Sequence, residues 1–254
     1  MPNVPPEWII PDWSAPENVK AVMTTRQGGS SQAPFDSMNL GDHVDDDLVA
    51  VQRNRASLKE RLNLPNNPLW LTQVHGVSVV NVDDMRGVTH SVEADASVTH
   101  QAGSVCAVMT ADCLPVLFCN TQGTAVAAAH AGWRGLDAGV LEQTVKSLNS
   151  SSADVIAWLG VAIGPESFEV GSEVREAFIA KQATASQAFI PSKNEGKWLA
   201  NIYQLARLRL EAMGVTKIYG GGECSFKDKA RFYSYRREAK TGRMASVIWM
   251  DLPV

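Results

Sequence analysis

Short apolar runs recur along this chain, and most are strand-length rather than helix-length. Three of them, 105–109, 114–119 and 125–129, follow one another closely and are rich in small or β-branched residues. They lack the polar alternation of a half-solvated strand, so they predict strands buried on both faces. Further strands are expected at 18–25, 69–74, 77–82, 93–99, 155–159 and 217–219. Helical spacing appears instead at 45–62 (Leu48, Val51, Leu58, Leu62), where Asp45, Asp46 and Asp47 lie at the favourable N-terminal end. It returns at 135–149 (Leu136, Val140, Leu141, Val145, Leu148), at 172–181 and at 199–213 (Ile202, Leu205, Ala206, Leu208, Met213). The segments 232–236 and 245–250, either side of Thr241-Gly242, predict a closing hairpin. The Pro- and Trp-rich opening, 1–13, is expected to lie as an extended arm over the body. Strands and helices mix throughout without a repeat or a linker, which predicts one α/β domain, residues 1–254, with mixed sheets covered by helices.

The chemistry is concentrated where the buried strands end. Thr110-Ala111-Asp112-Cys113 joins the first two runs, and the third leads into His130-Ala131-Gly132-Trp133-Arg134-Gly135. His75-Gly76 follows the strand at 69–74. A thiol and two imidazoles at strand ends have three uses. His75, Cys113 and His130 suit a catalytic zinc site with a fourth position left to water. Cys113 with His130 as base suits nucleophilic catalysis. The trio, with Met109 as a weak axial ligand, suits a blue-copper centre. Five histidines without a His-x-His pair are too few for a multicopper oxidase. His43, His90 and His100 have no comparable context and are expected on the surface; Cys106 and Cys119 lie inside apolar runs and are expected in the core.

Composition narrows the field. In 254 residues, 45% hydrophobic and 20% charged, there is ample material for a full core. A net charge of −4 gives no general attraction for nucleic acid or acidic membranes, and no apolar run is long enough to span a bilayer. The N-terminus does not read as a signal peptide. Four cysteines in a chain this long, three of them in the apolar segment, make no disulfide framework and predict a reducing, cytoplasmic home. No oligomeric state follows from any of this.

Anion binding has its own candidates. Arg134 opens the helix after His130, where free backbone N–H groups favour phosphate or carboxylate. The loop 160–165 is a second such turn. Arg26, Arg55, Arg236 and Arg237 would add a clamp if they point inward, although pattern alone assigns most of them to solvent.

Several segments together resemble the YfiH-type family, also called the laccase-domain or multicopper polyphenol oxidase family. They are TTRQGGSS (24–31), MNLGDH (38–43), LTQVHG (71–76), EADASVT (93–99), MTADCLPVLF (109–118), AAHAGWRGL (128–136), IGPESFEV (163–170), NIYQLAR (201–207) and FYSYRREAKTGRMAS (232–246). The resemblance implies a four-layer α/β/β/α sandwich, similar to a bacterial cytotoxin deamidase with a Cys–His site. It implies metal ligands at His75, Cys113 and His130, a pocket that includes Arg26, Asn39 and Arg55, and Asp95 and Asp112 near or behind the ligands. The implied activity is that of a zinc-associated purine nucleoside enzyme. Such an enzyme cleaves adenosine, inosine and methylthioadenosine with phosphate and deaminates adenosine, with Asp112 or Asp95 as a proton shuttle. The His-x-Glu and Pro-Cys-x-x-Cys signature of cytidine-type deaminases is absent. Two other activities attach to the resemblance: editing of peptidoglycan precursors by a Cys–His amidohydrolase, and copper-dependent polyphenol oxidation. Ala162 and Ser167 stand where relatives often carry cysteines, so no role for those thiols carries over.

Overall fold

Strands buried on both faces need a covering layer on each side, and the chain supplies it in a fixed order. A computed structural model describes residues 4–85, 87–88 and 90–252. The first half runs β1 (Val19–Met23), α1 (Leu48–Leu62), β2 (Leu71–Thr72), β3 (Val79–Asn81), β4 (Val92–Glu93), β5 (Ala96–Thr99), β6 (Val105–Thr110), β7 (Leu114–Asn120) and β8 (Val126–Ala131). Then come α2 (Trp133–Ala138), α3 (Val140–Ser147), β9 (Val155–Leu159), β10 (Glu169–Gly171) and α4 (Ser172–Lys181). The last part is β11 (Phe189–Pro191), β12 (Lys197–Ala200), α5 (Ile202–Ala212), β13 (Lys217–Gly220) and β14 (Met244–Met250).

The main sheet has six strands in the order β13-β9-β7-β8-β5-β3, mixed in direction: β13/β9 and β3/β5 are parallel, the rest antiparallel. A second, antiparallel sheet has the order β1-β14-β6. Alternation along the strands decides the layering. On one face of the main sheet Leu114, Val116, Phe118, Ala127 and Ala129 pack with Leu141 and Val145 of α3, Phe178 of α4 and Leu205 of α5. On the other face Leu117, Cys119, Val126 and Ala128 meet Cys106, Val108 and Ile248 of the second sheet. The outer face of that sheet, Val105, Ala107, Val247 and Trp249, packs on Leu58 and Leu62 of α1. The stack is therefore helix, sheet, sheet, helix, as expected.

Where local pattern and structure differ, a side chain or a glycine is responsible. The helix expected over 135–149 divides at Gly139, whose φ of 106° no other residue adopts easily. The helix expected over 199–213 begins at Ile202, capped by Asn201; residues before it belong to β12, in a small β10-β12-β11 sheet that periodicity did not reveal. Asp47 caps α1 by accepting from Val49 N at 3.0 Å, so the acidic triplet precedes the helix rather than opening it. The closing hairpin is absent. Residues 232–234 are irregular and 235–236 lie in a turn, and β14 pairs with β1 and β6. The apolarity of Phe232 and Tyr233 is core packing; Arg237 holds this segment by donating to the carbonyls of Ser225, Phe226 and Phe232. Trp8 in the opening segment is buried, and Ile9 pairs with Met23.

Candidate active site

The connection between the two sheets places the thiol. β6 lies in the second sheet and β7 in the main one, so Asp112 and Cys113 cross the interlayer boundary in a turn with Asp112 at φ 89°. Pro115 of β7 faces His130 of β8, which sets that imidazole beside the turn. His75 arrives from the turn after β2. Gln73 pins the approach to that turn by exchanging two hydrogen bonds with the Met109 backbone, at 2.8 and 2.7 Å.

Asp95 is the hub. It is fully buried at the entry to β5, and its carboxylate accepts from the backbone N–H groups of Val74, His75 and Gly76 at 3.2, 2.9 and 2.6 Å. These bonds hold His75 at φ 61°, a left-handed conformation unusual for a non-glycine residue. The same carboxylate bonds His130 Nδ1 at 2.8 Å, which leaves Nε2 as that ring's free donor atom. Burial alone would raise the Asp95 pKa, but the bonds from His130, Gly76 and His75 hold it below the ordinary carboxyl range.

The donor atoms of His75, Cys113 and His130 lie within 4.8 Å of one another, with His75 Nε2 3.7 Å from Cys113 Sγ. Among the described residues this is the one such cluster of three or more potential ligands. Exposure is graded: His130 is buried, Cys113 half-buried and His75 exposed, so the centre opens to solvent on the His75 side. Gly132 leaves the necessary space. A Cβ there would stand 2.7 Å from His75 Cδ2 and 3.0 Å from Cys113 Sγ. Two nitrogens and a sulfur, an orienting carboxylate and a gap kept clear by glycine fit a metal ion bound by three protein ligands.

Electrostatics agree with that use. Burial would raise the Cys113 pKa, but His130 and the hydrogen bonds of both imidazoles pull it down, toward thiolate. Burial would lower that of His130, but Cys113 and Asp95 raise it. Cys106 and Cys119 are driven the other way by burial, to about 12. Alkylation of metal-free protein at neutral pH is therefore expected to label Cys113 far faster than Cys106 or Cys119, and bound metal is expected to protect it. Peptide mapping after iodoacetamide checks both; equal labelling of all three would contradict the assignment.

The remaining expected residues are dispersed. Asp112 accepts from Ser225 Oγ and from Arg236 N, both at 2.6 Å, so its carboxylate ties two loops to the turn that carries Cys113. Asn39 is buried, and its amide is occupied by Gly41, Asp46 and the Arg243 backbone. Arg26 is buried against the Tyr233 ring and pairs with Asp36 and Glu238, lining a separate cavity of about 450 Å³. Arg55 lies over Trp70, pairs with Asp42 and borders a cavity of about 970 Å³ that contains no residue of the trio. Arg134 is exposed and stacks on Trp133. In the loop 160–165, Gly164 N donates to Cys224 Sγ, so that turn is already partnered. Asn54 of α1 is buried and bonds the 30–39 loop. His43, His90 and His100 are exposed, and Cys106 and Cys119 buried, as expected. Sequence reasoning did not single out Arg243 or Tyr235, which lie within FYSYRREAKTGRMAS with the guanidinium 5.9 Å from the ring centroid.

An α/β/β/α sandwich with a His–Cys–His centre at its strand ends is thus the class of protein defined here. The chain belongs to the family described as "Multi-copper polyphenol oxidoreductase laccase", whose profile matches residues 20–251. It is 59% identical over 244 residues to a Pseudomonas aeruginosa protein named purine nucleoside phosphorylase, covering 96% of this chain and 98% of that one. It is 54% identical over 243 residues to the purine nucleoside phosphorylase YfiH of Escherichia coli, covering 95% and 98%. A solved Neisseria meningitidis structure superposes with a TM-score of 0.92 at 48% identity, over 97% of this chain and 100% of the other. YlmD from Geobacillus stearothermophilus does so with a TM-score of 0.85 at 31% identity, over 93% of each. Among the described residues no helix is long and apolar enough to cross a membrane.

Proposed function

We propose that this protein is a zinc-dependent purine nucleoside enzyme of the reducing cytoplasm, cleaving adenosine, inosine and methylthioadenosine with phosphate and deaminating adenosine. One observation carries the reading: the donors of His75, Cys113 and His130 converge on one solvent-open point, in a chain whose relatives bear the name purine nucleoside phosphorylase. Zinc held there supplies Lewis acidity and lowers the pKa of bound water. The mixed nitrogen and sulfur donor set favours zinc, and a single cluster does not meet the several centres of multicopper chemistry. Four free cysteines, two of them buried, suit a reducing compartment.

The chain's own groups divide the work. Asp95 fixes His130 and the His75 turn. Tyr235, 57% exposed, follows Ser234 and precedes Arg236, whose N–H docks on Asp112 beside Cys113; its ring offers a flat face for a purine. In phosphorolysis an oxygen of hydrogen phosphate bonds to the anomeric carbon as the carbon–nitrogen bond to the purine breaks. The purine nitrogen keeps the electron pair and takes the proton of the hydrogen phosphate. Deamination consumes water and releases ammonia.

The test is a nucleoside panel with zinc-loaded, untagged protein, with and without phosphate, followed by chromatography. Base and ribose 1-phosphate are expected only with phosphate, and inosine from adenosine in either case. Absence of all these products rejects the reading. A second reading, a Cys–His amidohydrolase acting on peptidoglycan precursors, draws on the lowered Cys113 pKa and the Asp95–His130 bond, which together make a nucleophile–base–carboxylate series. Rapid alkylation of Cys113 in zinc-loaded protein would favour it over the first.

A further inference from the structure

A cation without an ion pair lies beside the same centre. β14 and β6 pair antiparallel with Met244 opposite Thr110, so Arg243 enters the pair opposite Ala111, beside Asp112 and Cys113. Its guanidinium lies within electrostatic range of Cys113, Asp112 and Tyr235, and is 5.9 Å from the Tyr235 ring centroid. Arg243 is half-buried, and burial lowers its pKa. Its Nη1 donates to the carbonyls of Thr241 and Gly242, at 2.9 and 3.1 Å. Among the described residues it forms no ion pair, whereas Arg26 and Arg55, the arginines expected in the pocket, both do. The one carboxylate at hand, Asp112, is already engaged by Ser225 and the Arg236 backbone.

The side chain is also held in place from behind. Asn39 Oδ1 accepts from Arg243 N at 2.8 Å, Leu40 N donates to Arg243 O at 3.1 Å, and Gly41 packs so closely that a Cβ would stand 2.8 Å from Arg243 Cγ. A partly desolvated guanidinium costs free energy unless an anion answers it, and its planar fork matches two phosphate oxygens. Arg55, by contrast, lies over the Trp70 ring and already pairs with Asp42.

We infer that Arg243 binds the phosphate co-substrate, holding it on the Cys113 side of the centre. This rests on the phosphorolysis reading. Arg243 turns the dianion's charge toward the anomeric carbon, and Asn39, expected to touch substrate, acts instead as the positioning residue for Arg243.

The experiment uses zinc-loaded full-length protein and two variants, Arg243→Gln and Arg243→Lys. In steady state, Arg243→Gln is expected to raise the KM for phosphate about 10- to 100-fold with the KM for inosine within about twofold, since a charged hydrogen bond is lost from one substrate alone. Arg243→Lys, which keeps the charge and loses the fork, is expected to recover part of the phosphate KM. An unchanged phosphate KM in Arg243→Gln, or an equal rise in both constants, overturns the assignment. Phosphate titration of the same three proteins by calorimetry, without nucleoside, separates this inference from the parent reading. If the wild type binds phosphate and Arg243→Gln does not, Arg243 holds the anion even where no nucleoside is cleaved. If the wild type and Arg243→Gln bind it alike, or neither binds it, the inference falls whatever the enzyme turns over. Zinc content and melting temperature identify a misfolded Arg243→Gln, in which case Arg243→Lys decides: it must show a weakened phosphate KM, and a wild-type value overturns the proposal.

Discussion

Asp95→Asn is expected to weaken metal binding about 10- to 100-fold, the usual penalty for removing the group that orients a ligating imidazole, and to destabilise the fold as well. The carboxylate accepts four hydrogen bonds, three from the backbone of residues 74–76 and one from His130 Nδ1. An asparagine keeps one acceptor oxygen and presents an NH₂ to donors on the other side, leaving buried N–H groups unpaired. Breaking a buried charged network in this way costs about 3–5 kcal/mol. The pH dependence carries its own sign. The Asp95 carboxyl is held below its ordinary 3.8, so its contribution is complete above that pH and fades as pH falls through the lower native value. The stability gap between wild type and Asp95→Asn should therefore be full at pH 7 and shrink in strong acid. Denaturant melts at neutral and acidic pH, with zinc titration of the metal-free proteins, measure both effects; a variant matching the wild type in each would remove Asp95 from the centre of the site.

Gly132→Ala is expected to empty the centre while leaving the fold nearly intact. The backbone at Gly132 has φ −63° and ψ 158°, a conformation open to any residue, so the substitution brings no backbone strain. Its whole effect is the added methyl, 2.7 Å from His75 Cδ2, 3.0 Å from Cys113 Sγ and 3.3 Å from His75 Nε2. One of these ligands must move, and either movement takes its donor atom off the shared point. Asp95 fixes the His75 backbone, so only its exposed imidazole can turn away, and Cys113 sits in a turn that Asp112 ties to Ser225 and Arg236. Overpacking of this kind costs about 1–3 kcal/mol of stability. Metal content should fall from stoichiometric to a small fraction, and activity with it. Elemental analysis beside a thermal melt checks the pair of expectations; a variant that keeps its metal would show that the space at Gly132 serves packing alone.

Much of this was legible in the residues because the signals were local. The runs 105–109, 114–119 and 125–129 could be read as buried strands since every position is apolar, and β6, β7 and β8 fall on them. His75, Cys113 and His130 stood out as strand-end residues of ligand type, and their donors do converge. The surroundings of the arginines named for the pocket were not legible, for the opposite reason. A cation at 26, 55 or 134 carries no mark of the partner it will meet, and Asp36, Asp42 and Trp133 claimed these three. Residues 232–236 looked like a strand because Phe232 and Tyr233 are apolar, yet that apolarity serves the core and the backbone bonds go to Arg237 and Asp112.

The sequence by itself determined the layers and the ligand types, since burial on one or both faces of a strand is written in residue alternation. Only the tertiary structure decided which carboxylate does what. Asp95 and Asp112 are alike on paper, each beside a ligand or in register with one. The crossing from β6 to β7 turns Asp112 toward loops 225 and 236, while antiparallel pairing of β5 with β8 sets Asp95 against His130. The same pairing logic, β14 against β6 with Met244 opposite Thr110, brings Arg243 to the turn that carries Cys113, across more than a hundred residues of chain. A side chain's partner is fixed by strand register, and register between distant segments is a property of the folded sheet.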